Sequence, residues 1–86
     1  MTTTEGITEA IRTHILAEYL PGTPREELET SYDLLDNGVV TSLDLLALIS
    51  WVEQRFQVPI DEVEISPDHF RSVDAMSEFV KRTTGK

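Results

Sequence analysis

Eighty-six residues suffice for one domain around one modest core and leave no room for a second lobe with a deep cleft. Sixteen acidic side chains against seven basic ones give a formal charge of −9, a surface that repels nucleic-acid phosphates and anionic lipid and suits basic protein faces. Cysteine is absent, which excludes disulfides and thiolate zinc sites.

The first residues, Met1 to Gly6, lack the basic and apolar regions of a secretory leader, and no apolar run approaches membrane-spanning length. The expectation is a cytoplasmic protein with no membrane and no nucleic-acid partner. After the opening threonines, which can supply a cap, Ile7, Ala10, Ile11 and Ile15 recur at helical spacing and predict a helix from about Glu5 to Leu20, stopped by Pro21-Gly22. Leu16 falls off that stripe. From Pro21 to Thr41 the pattern reads as a long loop with at most a helical turn at Pro24 to Glu27, anchored by Tyr32, Leu34 and Leu35 and turned at Asp36-Asn37-Gly38.

A second helix is expected from Ser42 to Phe56, with Leu45, Leu46, Ile49, Val52 and Phe56 facing the core. Leu43, Ala47 and Trp51 then form an exposed apolar stripe, with Leu48 at the boundary. Gln57-Val58-Pro59 ends this helix. Ser66-Pro67 predicts a short helix over Asp68 to Arg71 with Phe70 inward, and Ser72 caps a last helix carrying Val73, Met76, Phe79 and Val80, fraying at Thr83 to Lys86. No strand pattern or internal repeat appears. The fold class is all-α, three main helices and a short one with a long first connection, in a single domain over residues 1–86.

Ser42 is the chief candidate for chemistry, because a helix mouth gathers unpaired N–H groups and the positive end of the helix dipole, which favour a phosphate ester. Thr41-x-x-Asp44 has capping-box spacing, so Thr41 can cap the helix and leave the Ser42 hydroxyl free. A hydrolase fails on inventory: the histidines, His14 and His69, are distant in sequence, and no Gly-x-Ser-x-Gly elbow surrounds Ser42. His14 reads as a core-edge residue and His69 as a surface one. An EF-hand frame starting at Asp33 places Asn37, Gly38 and Asp44 suitably, but Leu35 falls where an oxygen ligand is needed and Asp44 is short for the closing position. No metal is expected. The Leu43, Ala47, Trp51 stripe reads as a docking face, with Asp33, Asp36, Asp44, Glu53, Glu62 and Glu64 as an acidic rim.

The run Asp36-Asn37-Gly38-Val39-Val40-Thr41-Ser42-Leu43-Asp44-Leu45-Leu46, continued by Ile49-x-x-Val52-Glu53-x-x-Phe56-x-Val58-x-Ile60 and by Ser66-Pro67-x-x-Phe70-x-Ser72-Val73-x-x-Met76-x-x-Phe79-Val80, resembles the phosphopantetheine-binding acyl, aminoacyl and peptidyl carrier proteins. The resemblance covers nearly the whole chain. It implies a four-helix bundle of acyl-carrier type, not an enzyme, in which Ser42 receives 4′-phosphopantetheine from coenzyme A and the arm's thiol holds cargo as a thioester. Implied partners are a phosphopantetheinyl transferase, an adenylating ligase or acyltransferase that loads cargo, and a downstream synthase or acyltransferase. They would dock on Val40, Thr41, Leu43, Asp44, Ala47, Trp51 and Glu53 of a monomeric carrier.

Two departures separate the chain from the commonest carriers. Thr41 stands where most have Asp before the serine, and Gly38 lies four residues before Ser42 rather than three. The four-residue spacing is similar to that of D-alanyl carriers for cell-wall modification and of discrete carriers in polyketide or nonribosomal-peptide metabolism, and a chain with its own Met1 suits a stand-alone carrier. The rival from another class is an acidic helical adaptor that uses only its apolar face and bears no prosthetic group. The cargo is not written in the sequence.

Overall fold

The computed structural model describes residues 4–84. It has three α-helices, α1 (Thr4–Tyr19), α2 (Ser42–Phe56) and α3 (Val73–Thr84), with 3₁₀ turns at Arg25–Glu27, Ile60–Glu62 and Pro67–Phe70. Among the described residues there is no strand. The expected threonine cap at Thr2 and Thr3 and the chain end at Gly85 and Lys86 lie outside the described residues, while Thr83 and Thr84 are still helical, their hydroxyls donating to the carbonyls of Phe79 and Val80 at 2.7 and 2.6 Å.

Each α-helix is there because one apolar face can be buried. In α1, Ile7, Ile11 and Ile15 recur one turn apart and are at most 2 % exposed, and Leu16, off that line, packs at the core's edge. The main partner of this face is α3, which contributes Val73, Met76, Phe79 and Val80, all buried. A polar bond crosses the same seam, Thr8 Oγ1 to Ser77 Oγ at 2.9 Å, so the buried hydroxyl of Ser77 is satisfied. Ser72 starts α3 by accepting the N–H of Ala75 at 3.0 Å, as its sequence position implies.

The long connection between α1 and α2 is held down by Leu28 and Leu34, 3 % and 0 % exposed. Tyr32, expected as an anchor, is instead 40 % exposed; with Leu20, Thr23, Glu27 and Leu28 it lines an open cleft of about 170 Å³ beside the end of α1. Two backbone bonds tie this loop to the start of α3, Leu34 N to Arg71 O at 2.6 Å and Asp74 N to Thr30 O at 2.8 Å. A long loop without regular structure thus survives in a compact fold because its polar groups have partners.

The phase of α2 differs from the expected one. Leu48 and Val52 are fully buried, whereas Leu46, assigned to the core, is 69 % exposed. At about 100° per residue the buried arc runs from Leu48 through Val52, Leu45, Phe56 and Ile49, and Leu46 falls outside it. The helix closes at Gln57, which takes the left-handed conformation with φ 57° and donates its N–H to Glu53 O.

Candidate functional site

The mouth of α2 is built from its own sequence. Thr41 is extended, with φ −98° and ψ 176°, and its hydroxyl accepts the N–H of Asp44 at 3.3 Å. The Asp44 carboxylate answers by accepting the Thr41 N–H and hydroxyl, both at 3.0 Å, which completes the capping box that the Thr41-x-x-Asp44 spacing predicts. Leu45 N bonds back to Thr41 O at 3.0 Å. The cap therefore uses Thr41 and Asp44 and leaves Ser42 out.

Ser42 is exposed, and among the described residues nothing hydrogen-bonds its hydroxyl. The backbone N–H groups of Ser42 and Leu43 are also without protein partners there, and they lie at the positive end of a 15-residue helix. A phosphate ester on Ser42 Oγ fits this arrangement: free hydroxyl, open approach, two N–H groups and a favourable dipole.

The residues leading to the mouth form a small knot. Asp33 Oδ1 accepts the Asp36 N–H at 2.8 Å, Asn37 Nδ2 donates to Asp33 O at 2.7 Å, and Gly38, at φ 74°, sends its N–H to Leu35 O at 3.1 Å. The carbonyl of Leu34 then accepts both Val39 and Val40 N–H, at 2.9 and 3.1 Å. Arg71 closes the knot from outside, with Nε 3.2 Å from Asp33 Oδ2, Nη2 3.6 Å from Asp36 Oδ1 and Nη1 2.8 Å from Asp68 Oδ1. The contact to Asp33 lies off the hydrogen-bond axis, so it acts as charge attraction. The Asp36 N–H, and then Arg71, hold the Asp33 carboxyl below the usual carboxylate range.

The sequence-predicted site residues separate into exposed and packed groups. Thr41, Leu43, Ala47 and Glu53 are exposed and Asp44 half-buried, while Val40 is 1 % exposed and belongs to the core, so its side chain cannot dock a partner. Trp51 is half-buried rather than free. Its ring stacks on His14 at 3.9 Å and 9°, and meets Phe56 edge-on at 5.6 Å. The open apolar surface beside Ser42 is formed by Leu43 and Leu46, 80 % and 69 % exposed. Sequence periodicity missed Leu46 because apolar residues surround that half of α2.

Neither histidine serves as a base for Ser42. Burial against Trp51 pushes His14 below its ordinary value, the Glu18 carboxylate partly opposing this. His69, expected on the surface, is half-buried on Phe79 at 4.7 Å, and its Nδ1 accepts the Ser66 N–H at 3.3 Å to complete a capping box with Ser66. The Ser66-x-x-His69 spacing was the available signal, with His in place of the usual Glu. Burial, then the carboxylates of Asp44 and Glu18, push the Tyr19 phenol up. Among the described residues no group of three or more His, Asp or Glu could hold a metal, and the Asp33 and Asp44 carboxylates are turned to the knot and the cap. No helix of the described residues is long and apolar enough to cross a membrane.

Comparison with known proteins bears on this geometry. The family model for the phosphopantetheine attachment site matches residues 13–80. A solved structure described as "Structure of KstB-PCP(apo)" is similar at 36 % identity with a TM-score of 0.78, over 95 % of this chain and 90 % of that one. No curated protein matches the chain. A match that runs from α1 to α3, joined to a fold shared at 36 % identity, shows that the chain belongs to the phosphopantetheine-binding family of acyl and peptidyl carrier proteins, which bear cargo on a covalent arm and do not catalyse its chemistry.

Proposed function

We propose that Ser42 is the attachment serine and that the chain carries an acyl or aminoacyl intermediate. The observation that carries this is the division of labour at the mouth of α2: Thr41 and Asp44 complete the cap, and the Ser42 hydroxyl is left exposed and unbonded. When bound, 4′-phosphopantetheine supplies a thiol on a long flexible arm, on which cargo is held as a thioester. The chain has no cysteine and could not hold a thioester otherwise.

Among the described residues Ser42 has no hydrogen-bonded base to activate its hydroxyl, and the proton is taken by the transferase that delivers the group from coenzyme A. The carrier's own contribution is presentation. The free N–H groups of Ser42 and Leu43 favour the phosphodiester, and Leu43, Leu46 and Ala47 offer an apolar landing beside it, with Glu53 exposed farther along. A formal charge of −9 suits basic faces on a transferase, a loading ligase or acyltransferase, and a downstream synthase. A role in nonribosomal-peptide or polyketide metabolism is preferred to D-alanyl transfer for cell-wall modification, and the likeness to a chain designated PCP supports that preference.

Incubation with a broad-specificity phosphopantetheinyl transferase and coenzyme A tests the reading. Wild type should gain the mass of one arm, and Ser42→Ala should gain none while its circular dichroism stays that of wild type. An arm on the alanine variant, or none on wild type, contradicts the assignment. An unfolded variant would show Ser42 to be structural.

A further inference from the structure

Three of the six ion pairs among the described residues converge on one side chain, Arg71, which lies outside every feature that the carrier reading uses. Its guanidinium faces Asp33, Asp36 and Asp68, and its carbonyl accepts Leu34 N–H at 2.6 Å. Among the described residues it is the only cation within ion-pair reach of the segment from Asp33 to Ser42. Leu34 is also the residue whose carbonyl takes the N–H groups of Val39 and Val40, the two residues before the Thr41 cap.

We propose that Arg71 is a positioning residue for the attachment serine: by gripping Asp33 and Asp36 it holds the Leu34 to Val40 knot in the form that sets Thr41 and Ser42 at the mouth of α2. The inference rests on Ser42 being the attachment site. The physical reason is charge as well as reach. Three carboxylates meet around one guanidinium, and without it they repel one another across the join between the loop and the turn at Pro67–Phe70. Arginine suits the place because its charge is spread over three nitrogens that face Asp33, Asp36 and Asp68 at once, with one hydrogen bond to Asp68, whereas lysine offers a single point charge.

Loosening the knot reduces the fraction of molecules whose Ser42 is correctly presented, and the apparent affinity of the transferase falls by that fraction. The cap is local to Thr41 and Asp44, so turnover after docking is retained. Arg71→Gln is therefore expected to raise the transferase KM about twofold with kcat little changed, and to speed amide exchange at Val39 and Val40 about fivefold while Phe79 and Val80 in α3 keep their protection. Arg71→Lys should recover part of both effects.

Amide hydrogen exchange on the apo chain, measured beside labelling kinetics with coenzyme A, tests this. Unchanged exchange at Val39 and Val40 in Arg71→Gln overturns the proposal whatever labelling does. Faster exchange there with an unaltered KM removes the positioning role. Equal loss of protection in α3 shows a general structural role and also overturns it, with Arg71→Lys as the milder variant on which the same readings are taken if Arg71→Gln does not fold. Failure of wild type to be labelled at Ser42 sinks the attachment reading and the positioning role together, and is recognised because no Arg71 variant is involved.

Discussion

Replacing Trp51 with alanine should destabilise the fold, and replacing Leu46 should not, the reverse of what helical periodicity alone suggests. Complete burial of a large aromatic makes its truncation cost about 3–5 kcal/mol, and Trp51 is only partly buried, so roughly half of that applies. Its stack on His14 and edge contact with Phe56 are included in that loss, at about 0.5–1 kcal/mol for an aromatic pair. The expected total is about 2 kcal/mol. With a urea m-value of about 1–1.5 kcal/mol per molar for so short a chain, the midpoint should fall by roughly 1.5 M. Leu46→Ala, at a position 69 % exposed, should change stability by about 0.5 kcal/mol or less. Urea titrations followed by far-ultraviolet circular dichroism read both variants without relying on the lost tryptophan. A Trp51→Ala midpoint within about 0.3 M of wild type, or a Leu46→Ala midpoint that falls further, would refute the observed phase of α2.

Other expectations follow from the same contacts. Thr41→Ala removes the cap and should cost about 1 kcal/mol by urea titration, with Ser42 still accepting the arm. Gly38→Ala should cost about 1 kcal/mol by the same titration although nothing lies within 4 Å of its added Cβ, because the loss is in backbone conformation at φ 74°. The folded pKa of His14 lies below 6.5, so protonation favours the unfolded chain; its contribution is whole above pH 6.5 and is lost as pH falls from there through the folded pKa, a step that should vanish in thermal melts of His14→Gln. Asp33 has the same sign for an acid, its support being present above pH 3.8 and lost as pH falls through its depressed folded pKa, so pairing with Arg71 should fail only below pH 3.8, as a shift of the Asp33 carboxyl resonance would report. Leu43→Asp and Leu46→Asp should weaken transferase binding by about tenfold or more in titration calorimetry while leaving the urea midpoint nearly unchanged.

What could be read from residues alone was whatever their near neighbours decide. The Thr41-x-x-Asp44 capping box, the stop at Pro21-Gly22, the Ile7, Ile11, Ile15 stripe and the inward Phe70 each depend on a few adjacent positions, and each is found in the fold. The phase of α2 was not legible. From Leu43 to Val52 only Asp44 and Ser50 are polar, so the 3.6-residue period cannot choose which side is buried; packing on the turn at Pro67–Phe70 and on α3 chooses it. The role of Arg71 was only partly legible: Asp68 lies three residues before it, but its other carboxylate partners, Asp33 and Asp36, lie far back along the chain and meet it only once the loop folds onto α3. Tyr32 was misplaced for a related reason: its size suggested an anchor, but Leu28 and Leu34 fill the space beneath the loop.

In the proposed function one hydroxyl, that of Ser42, bears the arm. Fragmentation mass spectrometry of the wild-type protein after transfer from coenzyme A tests it most directly, since Thr41 immediately before and Ser50 two turns on offer competing exposed hydroxyls on the same segment. A single phosphopantetheine group, located on Ser42, is expected. An arm on Thr41, Ser50 or any other residue, or a protein left unmodified by an active transferase, would show that Ser42 is not the attachment serine.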